Sequence, residues 1–110
     1  MTPKEFDKVV ENRIDQIKKV LAAKAQEYSS DNDRFHNFKV AARIKNCTPE
    51  QALHGMMLKH EVSIIDLILN PESPNLREDI VNEKIGDMID YLILLEGLFL
   101  ERIFENNKKV

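Results

Sequence analysis

Apolar residues recur at steps of three and four along almost the whole of this 110-residue chain, and hardly any stretch alternates as a strand would. That is the helical period, so the chain can fold into little besides packed helices. Prolines and caps then divide it. Thr2-Pro3-Lys4-Glu5 offers an N-cap threonine, a proline at the first helical position and a glutamate at the third. Phe6, Val10, Ile14, Ile17, Leu21 and Tyr28 mark one amphipathic helix running to about residue 28. Ser29 to Asp33 are five turn formers. His36 to Lys45, with Phe38, Ala41, Ala42 and Ile44, predicts a short second helix packed by Phe35 and Phe38. Thr48-Pro49-Glu50-Gln51 repeats the start signal, and Leu53, Met57, His60, Ile64 and Leu67 give the third helix a bundle-like seam. Two prolines in Asn70-Pro71-Glu72-Ser73-Pro74 end it. A fourth helix is expected from near Asn75 to about Glu105. The fold class is therefore all-α, a four-helix bundle of three long helices and one short one, as a single domain over residues 1–110.

The last helix carries the strongest tertiary signal. Beyond Asp90 it is apolar on nearly every side, which predicts a homodimer or homotetramer with this helix at the interface. Other classes are disfavoured. The net charge is -3 and the lysine pairs are short, so no polymeric nucleic acid partner is expected. The most apolar run, Tyr91 to Leu100, is too short for a membrane span and carries Glu96, and the N-terminus lacks the apolar core of a signal peptide. A lone Cys47 fits a reducing, cytoplasmic setting.

Within the fourth helix, Glu83, Asp87 and Asp90 fall on one narrow face that continues C-terminally into Leu94 and Leu98. Carboxylates on a core stripe are costly unless paired, protonated or bound to a cation. Acids one turn apart can share Mg²⁺, with Glu27, Asp31 and Asp33 as further contributors from elsewhere in the fold. The plain alternative is a solvated helix start favoured by the macrodipole. Gly86 within the stripe permits close approach of another backbone.

Two further groups stand out. His60 lies on the apolar seam between Lys59 and Glu61; such a histidine is commonly a satisfied core residue, and the functional reading pairs it with Asp87 or Glu83 and gives Lys59 a phosphate. His54 has no such company and reads as surface. Lys24, Glu27, Tyr28, Asp31, Asp33, Arg34, His36, Asn37 and Phe38 crowd polar and aromatic groups at one helix end. The chain has no Gly-rich phosphate loop, no Cys/His zinc spacing and no nucleophile elbow.

These residues, in this order, resemble a known group. Glu27-Tyr28, Asp31 and Asp33, Asn37-Phe38, Ala41-Ala42, Thr48-Pro49-Glu50, Met56-Met57, Lys59, and Glu83 to Asp87 with Tyr91 are similar to the layout of the all-α nucleoside triphosphate pyrophosphohydrolases, the MazG and dimeric dUTPase group, and of the nucleotide modification associated domains of phages. The resemblance implies a helical core, dimers or tetramers, and Mg²⁺ held by acids from a Glu-Glu-x-x-Glu helix and a Glu-x-x-Asp helix. Here Lys84 stands where the latter's glutamate would be, with Glu83 one residue back, and near Lys59-His60-Glu61 only Glu61 is an acid in register with the former.

The expected function is Mg²⁺-assisted hydrolysis of a nucleoside triphosphate by a phage or prophage protein. Glu83, Asp87 and His60 would be catalytic, the metal ligands would come from Glu27, Glu61, Glu83, Asp87 and Asp90, and Lys59, Arg34, Asn37, Phe38 and Tyr91 would bind substrate. The alternatives are a non-catalytic nucleotide-binding or protein-interaction bundle, and a buried polar network that only sets helix register.

Overall fold

A computed structural model describes residues 1–27 and 33–108, with the side chains of residues 23–27 outside the description. Tyr28 and Asp31, and the side chains of Lys24 and Glu27, therefore lie outside the described residues. The described residues form four helices and no strand: α1 (Pro3–Glu27), α2 (His36–Lys45), α3 (Pro49–Leu69) and α4 (Glu78–Lys108). No helix is long and apolar enough to cross a membrane among the described residues.

The start signals work as their chemistry requires. The Glu5 N–H donates to Thr2 Oγ1 at 3.1 Å. At α3 the Gln51 N–H donates to Thr48 Oγ1 and the Thr48 N–H to Gln51 Oε1, a reciprocal capping box that satisfies two otherwise orphaned donors. Asn46 ends α2 in the left-handed region at φ 54°, where its N–H bonds back to the last turn. One boundary moves. α4 begins at Glu78 rather than near Asn75, because the intervening residues are spent on turns: Ser73 Oγ accepts from the Asn75 N–H, and the Arg77 N–H donates to Asn75 O.

α4 is the axis of the molecule. Among the described residues its backbone comes close to those of α3 and α1, and the backbone of α2 comes close to that of α3. Arg102 bonds Glu50 through two 2.8 Å contacts near the top of α3, and Asp87 lies near His60 lower down, so α3 and α4 are antiparallel. Arg13 of α1 donates to Asn82 at 2.8 Å, and two turns on Leu21 meets the cluster containing Leu94, so α1 and α4 run the same way.

The core sits at the α2 end. Phe38, Ala42, Ala52, Leu53, Met57, Leu94 and Leu98 are its buried apolar residues, all from α2, α3 and α4. Phe35, just before α2, drives its ring into a notch at Gly97, where a Cβ would stand 2.6 Å from Cζ. Gly86 also admits a close neighbour, but it is the Arg13 guanidinium, with Nη1 at 2.5 Å from a Cβ built there, and not another backbone as the sequence suggested.

Candidate functional site

The acidic stripe of α4 enters the core as its periodicity requires. Side-chain exposure is 57% at Glu83 and 27% at Asp87, and Asp90 retains 5% of its surface, after which Leu94 and Leu98 are buried. The lower acids do not share one environment. Glu83 points to solvent with Lys84 Nζ 3.7 Å away, whereas Asp87 and Asp90 both line a pocket.

That pocket, of about 160 Å³, lies where α2, α3 and α4 meet. Asn37 and Phe38 come from α2, Met56 from α3, and Asp87, Asp90, Tyr91 and Leu94 from α4. Five of the expected site residues, Asn37, Phe38, Asp87, Asp90 and Tyr91, thus converge from two helices that are far apart in the chain. Its walls are mainly apolar and aromatic with two carboxylates and one amide, the composition of a site that holds a flat ring and fixes a polar group at one edge.

His60 stands behind the Asp87 side of this pocket. Its side chain is 9% exposed, its ring lies 5.6 Å from that of Tyr91 at a tilt of 35°, and Nδ1 is 3.6 Å from Asp87 Oδ2. That separation is beyond a hydrogen bond, and Nδ1 is buried without one among the described residues. His60 is thus a core histidine, as in the plainer reading, with its Nδ1 left without a hydrogen bond among the described residues. Burial lowers its pKa, the nearby Lys84 and Lys59 push in the same direction, and Asp87 and Glu83 oppose them. The outcome is a neutral imidazole at pH 7, able to accept a proton or to close on Asp87 after a shift of about half an ångström.

Other expected site residues lie elsewhere. Lys59 is exposed and off the pocket wall, although its charge is felt by His60. Glu61 has His54 Nε2 3.6 Å from its carboxylate, so His54 does have company, and that carboxylate is turned along α3's own surface. Asp33 is committed to structure: it accepts from Lys39 Nζ at 2.7 Å and from the Phe35 N–H at 2.9 Å, and Lys39 also pairs with Glu101. The lysine holds the Asp33 carboxyl below its ordinary pKa. Arg34 is half-buried, with Nη1 and Nη2 shielded from solvent and without a hydrogen-bond partner among the described residues. No group of three or more His, Cys, Asp or Glu side chains is arranged to hold a metal among the described residues.

Met56 as a pocket wall was missed by the sequence reading. The signal was there, since Met56 is one helical turn before His60 and therefore on the same face of α3. No protein-family model, curated protein or solved structure gives a significant match to this chain. The chemistry of the pocket is left to carry the functional argument.

Proposed function

We propose that this protein is a nucleoside triphosphate pyrophosphohydrolase that works as an oligomeric helical bundle, with its active centre at the Asp87–Asp90–His60 end of the α2–α3–α4 pocket. One observation carries the reading: Asn37, Phe38 and Tyr91, the residues that would receive a base, line the same pocket as the two buried-stripe carboxylates. An apolar slot ending in acids suits a ligand with a flat ring at one end and phosphates at the other.

The pocket supplies part of the donor set that Mg²⁺ requires. Two carboxylates from consecutive turns of one helix fit the usual Mg²⁺ arrangement, in which one or two protein acids and the substrate's own phosphates share the ion with water. They do not make an all-protein cage. Asp87 and Asp90 would hold the ion, with Glu61 and Glu83 as outlying acids, while the Glu27 side chain lies outside the described residues. When bound, Mg²⁺ supplies charge stabilisation at the phosphates.

The chain's own groups do the rest. Phe38 and Tyr91 sandwich the base and Asn37 reads its edge. A water oxygen adds to the α-phosphorus, the α–β phosphoanhydride bond breaks, and pyrophosphate leaves with the nucleoside monophosphate behind. The water's proton passes to Asp87, next to which the neutral His60 can accept it. Lys59 would contribute positive charge from beyond the pocket wall, whereas Arg34, whose guanidinium is shielded and off that wall, is left out of the phosphate site.

Purified protein incubated with each ribo- and deoxyribonucleoside triphosphate and Mg²⁺ should release pyrophosphate from at least one. Rates no higher than those of the Asp87→Ala, Asp90→Ala double variant would sink the proposal. The second reading, a pocket that binds a nucleotide without turning it over, is favoured by the mostly apolar wall; it predicts nucleotide affinity that survives removal of divalent ions.

A further inference from the structure

A lysine stands where the packing of α3 against α4 calls for an apolar residue. Lys84, Tyr91 and Leu98 follow one another at steps of seven, two turns apart, and so share one side of α4. Tyr91 meets the His60 ring of α3 and Leu98 is buried in the core, which identifies that side as the one facing α3. Lysines mostly keep to solvent. The Lys84 side chain is 24% exposed, against 57% for Glu83 next to it.

The ammonium is turned toward the acid end of the pocket. Its ion pair is with Glu83, at 3.7 Å from Nζ to Oε1, and it makes none with Asp87 among the described residues. Successive helical residues point about 100° apart, so the direction of Asp87 falls between the two, about 40° round from Glu83 and about 60° from Lys84. A lysine that reaches Glu83 therefore lies across the side of α4 on which Asp87 opens into the pocket. The contact with Glu83 is too long for a hydrogen bond, which leaves the three N–H donors of the ammonium unspent among the described residues. The field at His60 agrees, since Lys84 lowers its pKa more than Lys59 does.

Along α4 these groups stand in the order of a nucleotide's parts. Leu94 and Tyr91 line the apolar portion of the pocket, Asp90 and Asp87 supply its carboxylates, and Lys84 comes one turn beyond. At 1.5 Å per residue the series covers about 15 Å of helix. Two carboxylates alone repel a polyphosphate, and an ammonium on a flexible stem beside them offsets that repulsion. The other candidate cations are worse placed: Lys59 is exposed and off the wall, and the Arg34 guanidinium is shielded from solvent.

We propose that Lys84 is the phosphate-binding residue of this site, its ammonium leaving Glu83 for the outer phosphates of a nucleoside triphosphate whose ring lies between Phe38 and Tyr91. The proposal rests on the nucleotide reading of the pocket and adds to it the residue that tells a triphosphate from a nucleoside.

Affinity, and not turnover, tests it. The α,β-imido analogues of the ribo- and deoxyribonucleoside triphosphates, and the matching nucleosides, are titrated calorimetrically with Mg²⁺ present. The wild type should bind at least one analogue more tightly than its nucleoside. Lys84→Met, which keeps the apolar stem, should weaken that analogue by about tenfold or more, as expected for one charge-assisted hydrogen bond, and leave the nucleoside unchanged. Lys84→Arg should restore most of the affinity, and Lys59→Met should cost distinctly less than Lys84→Met. If Lys84→Met does not fold, the Lys84 ε-carbon resonance of the wild type, assigned by its loss in Lys84→Arg, should shift with the analogue and stay in place with the nucleoside. An analogue held equally by wild type and Lys84→Met, a loss shared by the nucleoside, a larger loss in Lys59→Met, or a resonance indifferent to the analogue would overturn the role of Lys84 and leave the base pocket standing. A wild type that binds no analogue and no nucleoside would overturn the nucleotide reading itself and this proposal with it.

Discussion

Two glycines of α4 make opposite predictions for the same substitution. Replacing a helix-interior glycine by alanine gains about 0.8–1 kcal/mol in helix propensity, so the sign is set by what the new methyl meets. At Gly97 it meets the Phe35 ring tip at 2.6 Å, with Cε1 and Cε2 at 3.4 Å. That ring cannot swing away freely, because the Phe35 N–H is bonded to Asp33 and its carbonyl to the Lys39 N–H at the start of α2. Overpacking of this kind costs about 1–3 kcal/mol, which exceeds the gain. Gly97→Ala should therefore destabilise by about 1 kcal/mol, or roughly 4 °C in melting temperature for a chain of this size. At Gly86 the obstacle is Arg13 Nη1, the end of a flexible side chain whose bonds to Asn82 run through Nη2. Little is lost when it backs off, and Gly86→Ala should be neutral to about 1 kcal/mol stabilising. Thermal melts followed at 222 nm, at one fixed protein concentration, read both. A Gly97→Ala protein that melts as high as Gly86→Ala would refute the wedge, as would a Phe35→Leu, Gly97→Ala double variant no better than Gly97→Ala alone.

Thr48→Ala removes the acceptor of one capping-box bond and should lower stability by about 1 kcal/mol, checked by urea melts. Because burial holds His60 below its ordinary pKa of about 6.5, the unfolded chain binds the extra proton between the two values. Stability should then be full above pH 6.5, fall as pH drops through the folded value, and become flatter across that window in His60→Leu. A steep wild-type slope retained by His60→Leu would assign the titration elsewhere. Mg²⁺ with a non-hydrolysable triphosphate should raise the melting temperature by more than either alone, by about 2.7 kcal/mol of stability at one hundred times Kd, and Asp87→Asn should remove the synergy; additive shifts unchanged by Asp87→Asn would count against the metal reading.

Much of this molecule is legible in its sequence, because local chemistry is written locally. The Thr-Pro starts and the apolar spacing placed α2 at His36–Lys45 and opened α3 at Pro49, and simple angular arithmetic put Asp90 on the buried face of α4. What was hidden is relational. Turn bonds among Ser73, Asn75 and Arg77 delayed α4, and only three dimensions show that the space at Gly86 belongs to a guanidinium or that Glu61 faces His54. The face of α1 is the sharpest case. Phe6, Val10 and Ile14 announce that something must cover them, but periodicity cannot say whether the cover comes from the same chain.

The contact between Arg13 and Asn82 spans 69 residues of chain, and that separation has a consequence for the ribosome. α1 precedes the other described helices, yet α4, the described helix whose backbone approaches it, is complete some eighty residues later. At about 5–20 residues per second that is roughly 4–16 s. For that time the apolar face of α1, with Phe6, Val10 and Ile14, lacks the α4 surface it packs on, which leaves those residues open to a chaperone.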